Sequence, residues 1–114
     1  MLAEQTVLSA YRIMWLYVMF DLPTETKRQR KDAATFRKNL LKDGFVMHQY
    51  SVYIRHCASN ETMDVHCQRV KHFVPDEGLV SILRVTDKQY SDTIQFVGKK
   101  RQAPQKVPCQ LELF

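Results

Sequence analysis

Asp21 is the residue of this chain whose type and position are best suited to chemistry. It ends the apolar run Ile13–Phe20, and Leu22-Pro23 turns the chain directly after it. A carboxylate at the carboxyl end of a buried strand is held on a rigid element, and its oxygens are ligands that Mg²⁺ accepts. Asp21 is therefore a candidate metal ligand and catalytic residue. The alternative, that it only supports the turn, stays open.

A dense group of cations follows this acid within a few helical turns. Residues 25–42 hold seven Lys/Arg against Glu25 and Asp32, which matches the net charge of +5 of the whole chain. Charge concentrated on one element favours an anionic partner, although a solvated helix face is the plain alternative. The predicted nucleic-acid-binding residues are Lys27, Arg28, Arg30, Lys31, Arg37 and Lys38.

These cations cannot all reach one phosphate. Arg28 and Arg30 are separated by two helical steps of roughly 100° each, so they face nearly opposite directions. Lys27, Arg30 and Lys31 are expected to share one face of the helix, and Arg37 and Lys38 to share it with Arg30 or Lys31 at a spacing of i, i+7. A ridge of this kind would follow a phosphate backbone rather than read bases. Tyr50 or Tyr53 could add a contact to a base or a sugar if its side chain is exposed.

One aspartate is a small ligand set for a metal. Mg²⁺ keeps several waters, so one or two carboxylates can suffice. Asp87 follows a later strand that we expect to run antiparallel to the first, which places it at the far edge of the sheet from Asp21. Asp21 of a second copy of the chain is the better second ligand.

Two His-Cys pairs, His56-Cys57 and His66-Cys67, invite a zinc interpretation. Neighbours on a strand point to opposite faces, and adjacent helical residues diverge by about 100°. At most one residue of each pair could reach a shared ion, whereas structural zinc needs four ligands. A nucleophile at Cys57 or Ser51 is equally weak, since Ser51 lacks a flanking glycine elbow.

The order of predicted elements is β-α-β-(β)-α-β-β. This order predicts an α+β fold, a ferredoxin-like βαββαβ with an extra C-terminal strand. In the two helices, we expect the buried residues to be Ala33, Phe36, Leu40 and Leu41, and then Met63, Cys67, Val70 and Phe73 or Val74. The predicted elements are a strand over Tyr11–Phe20, a helix from Thr26 to the stop at Gly44, β-structure over Phe45–Cys57 with a bend near Tyr50-Ser51, a helix from Ser59 to Pro75, and strands over Leu79–Val85 and Thr93–Val97.

The chain has 114 residues, enough for one domain. We assign residues 1–98 to the ferredoxin-like domain, with 1–10 as a lead-in, and residues 99–114 to a basic tail whose end, Leu111–Phe114, can form a strand. Both helices should cover one face of the sheet. The bare second face predicts a homodimer.

The compartment is predicted from cysteine count and hydropathy. Three cysteines form no disulfide framework and favour a reducing environment. The apolar run Ile13–Phe20 is far shorter than the roughly 20 residues that span a bilayer, and no signal peptide is visible. We expect a cytoplasmic protein without membrane association.

Several motifs, in order, closely resemble the CRISPR-associated protein two family. They are VMFDLP (18–23), TETKRQRK (24–31), FRKNLLKDGF (36–45), QYSVYIRHC (49–57) and TDKQ (86–89). The resemblance covers about Ile13 to Gly98, and the terminal QLELF looks like the form that accompanies type II systems. It implies a small homodimeric subunit of the CRISPR spacer-acquisition complex, with Asp21 at a central cleft.

The resemblance also implies function. Members are Mg²⁺-dependent endonucleases on RNA or DNA, with the strand-end aspartate, here Asp21, on the metal. In the acquisition complex the dimer bridges two dimers of the CRISPR integrase subunit and binds duplex DNA through basic residues. Arg28 and Arg30 match the family's helix arginines, and Phe20 stands where many members have tyrosine. The alternatives are a DNA-binding scaffold without catalysis and a stand-alone, toxin-like ribonuclease of the same fold. Single-stranded RNA is the alternative to duplex DNA as the nucleic-acid partner.

Overall fold

The apolar run that ends at Asp21 forms a central strand of a four-stranded antiparallel sheet. The computed structural model describes residues 12–104. The elements in chain order are β1 (Ile13–Asp21), α1 (Lys27–Lys42), β2 (Val46–Gln49), β3 (Val52–His56), α2 (Asn60–Phe73), β4 (Leu79–Thr86), α3 (Asp87–Ser91), β5 (Gln95–Val97) and β6 (Lys100–Gln102). The strand order in the sheet is β2-β3-β1-β4, and β5 and β6 form a separate hairpin. The predicted α+β, ferredoxin-like fold is confirmed.

Both faces of β1 are apolar because each face packs against other elements. Leu16, Val18 and Phe20 belong to the main core, together with buried side chains of α1 and α2. Trp15 points to the opposite face and heads a second, smaller cluster with Ile54. A strand with other elements packed on one face, and on part of the other, needs a nearly continuous apolar sequence, as observed here.

Helix α1 begins and ends as its sequence predicts. Thr26 is the N-cap and forms a capping box with Gln29, and the chain leaves the helix through Gly44, whose φ is 88°. Phe36 and Leu40 are buried in the core. The prediction that Leu41 is buried was wrong: it is 54% exposed, because one further helical step of about 100° carries it out of the buried stripe.

Helix α2 and the two following strands also match their predictions. Ser59 caps α2, and Met63, Cys67 and Val70 form its buried stripe. The helix ends before Pro75. The expected strand over Leu79–Val85 is β4, and the expected short strand over Thr93–Val97 is β5.

The predicted bend at Tyr50-Ser51 is the turn between β2 and β3. The backbone N–H of Phe20 donates to the carbonyl oxygen of Ser51 at 3.0 Å. This hydrogen bond holds the turn against the end of β1. The turn is thereby placed beside Asp21.

The second face of the sheet is less bare than predicted. The short helix α3, which was not predicted, lies on it: the rings of Tyr90 and Trp15 stack at 3.8 Å, and Trp15 Nε1 donates to Asp87 Oδ1 at 2.8 Å. Apolar surface remains on β4, where Leu79 and Leu83 are 66% and 45% exposed. The face is therefore covered at one end and open near Asp21.

The chain ends and the tail are only partly described. The predicted lead-in at 1–10 and the predicted strand at Leu111–Phe114 lie outside residues 12–104. The expected boundary at residue 98 falls at the turn between β5 and β6, where Gly98 has a φ of 63°. None of the helices within residues 12–104 combines the length and apolar character that crossing a membrane requires.

Gly78 fixes the end of β1 from the side opposite the Tyr50-Ser51 turn. Its φ is +99°, and a Cβ built on it would lie 2.8 Å from the Asp21 carbonyl oxygen and 2.8 Å from Leu22 Cδ2. A side chain here would meet both a strained φ and a backbone atom that cannot move freely. Gly78 therefore permits the close approach that positions Asp21.

We predict that Gly78→Ala destabilises the protein more than Gly44→Ala does. Both changes carry the cost of a left-handed backbone, roughly 1–2 kcal/mol. At Gly44 the nearest atom to a new Cβ is the end of the Arg55 side chain, which can move, whereas at Gly78 it is backbone. Chemical denaturation should therefore give a lower free energy of unfolding for Gly78→Ala, and equal losses would contradict the role assigned to Gly78.

Candidate functional site

A cleft opens at the carboxyl end of β1, between α1 and the turn that joins β2 to β3. Its volume is about 550 Å³, within the range of about 300–1,000 Å³ typical of ligand sites. We call it the Asp21 cleft. Its lining residues are Asp21, Leu22, Thr24, Arg30, Ala33, Ala34, Arg37, Tyr50 and Ser51.

Asp21 is exposed at the carboxyl end of β1, where it pairs with Leu79 of β4. Its backbone is held by the Phe20–Ser51 hydrogen bond on one side and by the close approach of Gly78 on the other. Among residues 12–104 no hydrogen bond or ion pair engages its carboxylate. The carboxylate is therefore rigidly placed and available to a ligand.

Arg30 and Arg37 supply positive charge to the same cleft. Arg30 Nη1 donates to the carbonyl oxygens of Thr24 and Glu25 at 3.1 and 3.0 Å, so it is braced on the loop that follows Asp21. Arg37 Nη1 donates to the carbonyl oxygen of Tyr50, and its Nη2 lies 3.4 Å from Ser51 Oγ. Both guanidinium groups are anchored at one edge, which limits their freedom before any anion arrives.

The predicted cation cluster is divided among three sides of α1. Arg30 and Arg37 line the Asp21 cleft. Lys27, Lys31 and Lys38 are exposed and lie within about 40° of one another around the helix, which forms a separate surface that we call the lysine ridge. Arg28, about 200° from Arg30, is exposed on a different side from the cleft, so the prediction that the two arginines diverge is confirmed.

Only one of the two candidate aromatic contacts is accessible. Tyr53 is 3% exposed and packs in the main core, so the condition for a contact to a base or sugar, an exposed side chain, is not met there. Tyr50 is 76% exposed and lines the cleft. Phe20, which stands where the family resemblance suggested tyrosine, is only 6% exposed, so its ring belongs to the core.

Sequence reasoning did not assign three residues to this site: Tyr50 and Ser51 of the turn, and Gly78. The available signal was the pair of β-runs separated by Tyr50-Ser51, which indicated a turn but not what the turn lies against. For Gly78, the signal was the turn sequence Pro75-Asp76-Glu77-Gly78. Neither pattern identifies its neighbour in space.

Asp87, which we expected at the far edge of the sheet from Asp21, lies at the other end of β1, where Ile13 pairs with Thr86, so this prediction is confirmed. Within residues 12–104 no group of three or more His, Cys, Asp or Glu side chains is arranged to hold a metal ion. Asp21 is the one carboxylate that lines its cleft. This donor fits Mg²⁺, which is commonly bound through one or two carboxylates and retained waters.

The cysteine and histidine pairs lie away from the cleft. Burial raises the pKa of the Cys57 thiol to about 11, so it is protonated at neutral pH and is a poor nucleophile. His66 is buried, and its Nδ1 lies 2.7 Å from Asp43 Oδ2. Ser51 Oγ lies near Arg37, with no histidine among the residues that line the cleft.

Comparison with known proteins assigns the family. A model of the family described as "CRISPR associated protein Cas2" matches residues 14–93. The chain is 49% identical over 109 residues to the "CRISPR-associated endoribonuclease Cas2" of Flavobacterium psychrophilum, covering 96% of this chain and 95% of that protein. It is 54% identical over 101 residues to the protein of the same name from Parvibaculum lavamentivorans, covering 89% of this chain and all of that protein (100%). A third protein of this name, from Paracidovorax avenae, is 49% identical and covers 95% of this chain and 100% of its own length. The chain therefore belongs to the Cas2 family of CRISPR-associated proteins.

Proposed function

We propose that the chain is a Mg²⁺-dependent endoribonuclease of a CRISPR system, with its reaction centre in the Asp21 cleft. The observation that carries this proposal is the meeting of an unengaged carboxylate, Asp21, with two braced guanidinium groups, Arg30 and Arg37, in one cleft. Acidic oxygen suits a metal ion and guanidinium suits phosphate, so the pair of chemistries matches a phosphodiester. The relatives compared above carry the name endoribonuclease, which supports the same assignment.

The chain's own residues have distinct tasks in this reaction. The free N–H groups of Arg30 and Arg37 donate to the non-bridging oxygens of a phosphodiester and fix the phosphorus within the cleft. Asp21 holds negative charge beside it and would be the protein ligand of Mg²⁺. When bound there, the ion supplies Lewis-acid chemistry to the hydrolysis. Because the guanidinium groups are already anchored on Thr24, Glu25 and Tyr50, little side-chain entropy is lost when the phosphate binds.

A homodimer would complete this site. Leu79 and Leu83 of β4 are exposed, and they pair with Asp21 and Tyr17 of β1 on the face that α3 covers only at one end. Exposed apolar residues on a sheet face favour a second copy of the chain, and two-fold pairing is the commonest arrangement. A second Asp21 near the two-fold axis would supply the second carboxylate.

The lysine ridge favours a second candidate function, a scaffold for duplex DNA. Lys27 and Lys38 are separated by about 16 Å along α1, with Lys31 between them, on a surface that does not line the cleft. Evenly directed lysines bind phosphates as point charges and carry no base information. In this function the dimer binds protospacer DNA and bridges two dimers of the CRISPR integrase subunit during spacer acquisition, whether or not it cuts.

We predict that Asp21→Asn abolishes Mg²⁺-dependent cleavage of labelled single-stranded RNA. Loss of one charge-bearing group at a reaction centre lowers the rate by about a hundredfold or more. Asp32→Asn on the exposed surface of α1 makes the same charge change outside this cleft and should cleave at the normal rate. Purified wild-type protein that leaves RNA intact with Mg²⁺, as it does with EDTA, would rule out the nuclease assignment.

We predict that changing Lys27, Lys31 and Lys38 together to Gln weakens duplex DNA binding and its salt dependence. Each lost phosphate contact should reduce the slope of log K against log salt by about 0.9. The matched control changes Arg12, Lys88 and Lys99 to Gln, which removes equal charge away from α1. Fluorescence anisotropy at several salt concentrations measures the slope, and equal slopes in the two triple variants would place the contact elsewhere.

We predict that Leu83→Glu converts a dimer to a monomer. The carboxylate would be buried without a partner in the two-fold interface, which costs several kcal/mol. Leu41→Glu is the control, because Leu41 is similarly exposed but lies on α1, on the other side of the sheet. Light scattering gives the mass, and a wild-type mass equal to one chain would contradict the dimer.

A further inference from the structure

We propose that Tyr50 is the residue on which an unpaired nucleobase stacks, so that the Asp21 cleft selects an unpaired strand irrespective of its sugar. This inference rests on the proposed role of the cleft in binding a phosphodiester, and it adds the residue that decides which strand enters. Its carrying observation is an exposed aromatic ring that is rigidly held beside Asp21.

The backbone of Tyr50 is fixed although its side chain is exposed. Arg37 donates to the Tyr50 carbonyl oxygen, and the next carbonyl, that of Ser51, accepts from Phe20 N–H at 3.0 Å. These contacts tie the turn to both α1 and β1. A ring that is 76% exposed on such a fixed turn contributes little to the core, so burial of apolar surface does not explain its position.

Arg37 also covers one face of the Tyr50 ring. Its guanidinium carbon lies 3.9 Å from the ring centroid, in cation–π geometry, and 4.8 Å from the ring centroid of Phe20. Arg37 is thus held between two aromatic rings, and Tyr50 rests on it as on a support. Given its exposure, the opposite face of the Tyr50 ring is open to solvent. An oriented ring with one open face is what base stacking requires.

The ring and the phosphate-binding groups belong to one cleft. Tyr50, Arg30, Arg37 and Asp21 all line the volume of about 550 Å³ at the end of β1. A phosphate held by the two arginines and a base stacked on Tyr50 would therefore come from the same or adjacent nucleotides. This arrangement would place the reacting phosphodiester next to a base that is no longer stacked on the adjacent bases of its strand.

Strand selection follows from the chemistry of stacking. A base inside a duplex is covered on both faces by its neighbours, so it reaches Tyr50 only when unpaired or extruded. Every base has a π-face, and stacking does not involve the 2′-hydroxyl, so this contact tolerates both sequence and sugar. The cleft should therefore bind single-stranded RNA and single-stranded DNA through Tyr50 to a similar extent, and duplex without it.

The test measures binding without cleavage. Full-length Asp21→Asn protein is titrated with 12-mers that carry 2-aminopurine as single-stranded RNA, single-stranded DNA or duplex, since stacking on an aromatic ring quenches this base. Tyr50→Leu and Tyr50→Phe are made in the same background. Phe96→Leu is the matched control, because Phe96 is 61% exposed but lies on β5, outside the Asp21 cleft.

We expect Tyr50→Leu to lower the affinity for both single strands by about tenfold and to remove the quenching of 2-aminopurine. Tyr50→Phe should keep the affinity for both single strands within about twofold. The affinity for duplex should not change in any of these variants, and Phe96→Leu should leave all the affinities unchanged. Equal losses in Tyr50→Phe and Tyr50→Leu would show a contact through the hydroxyl and overturn the proposal. The proposal is also overturned if the Asp21→Asn protein binds neither single strand, or if Tyr50→Leu leaves the affinity for both single strands unchanged. A change in oligomeric state caused by Tyr50→Leu, seen as a different assembly mass in solution, would overturn it as well. Absence of cleavage by wild-type protein, with the Tyr50 effect intact, would reject hydrolysis but retain the stacking residue.

Discussion

The site depends on close backbone packing at the end of β1. Gly78 approaches the Asp21 carbonyl on one side, and the Ser51 carbonyl accepts from Phe20 N–H on the other. Two turns that are 27 residues apart in sequence thus clamp the last residues of one strand. Because the clamp acts on backbone atoms, the Asp21 carboxylate is left out of it. A rigid main chain under an unengaged acid is the arrangement that metal or phosphate chemistry needs.

Arg37 links this clamp to the charge of the cleft. It binds the Tyr50 carbonyl, approaches Ser51 Oγ and lies between the rings of Phe20 and Tyr50. A guanidinium group can do this because its flat faces stack while its edges donate hydrogen bonds, which a lysine ammonium cannot combine. The same residue therefore positions the turn and carries charge. Loss of the Arg37 side chain would therefore disturb the turn and the charge of the cleft together.

Helix α1 serves the protein through three different sides. Ala33, Phe36 and Leu40 bury one side in the core, Arg30 and Arg37 present a second side to the cleft, and the lysine ridge occupies a third. Phosphate held in a cleft beside an acid and phosphate held along an open ridge are different binding modes. This division is compatible with the proposal that one small fold has both a reaction centre and a separate surface for duplex DNA.

The sequence by itself determined the elements and the acid. The apolar run before Asp21, the capping box at Thr26 and the stop at Gly44 depend on local propensities, so strand, helix and turn were predictable, as was the divergence of Arg28 from Arg30. Leu41 and Tyr53 show the limit of prediction from sequence. Leu41 is exposed and Tyr53 is buried, and this difference depends on which other elements pack against each side chain. The tertiary structure alone decided that the Tyr50-Ser51 turn and Gly78 lie on either side of the end of β1, that α3 lies on the second face of the sheet, and that Arg37 contacts two aromatic rings. These are contacts between residues distant in sequence, and no local periodicity encodes which distant backbone a turn will touch.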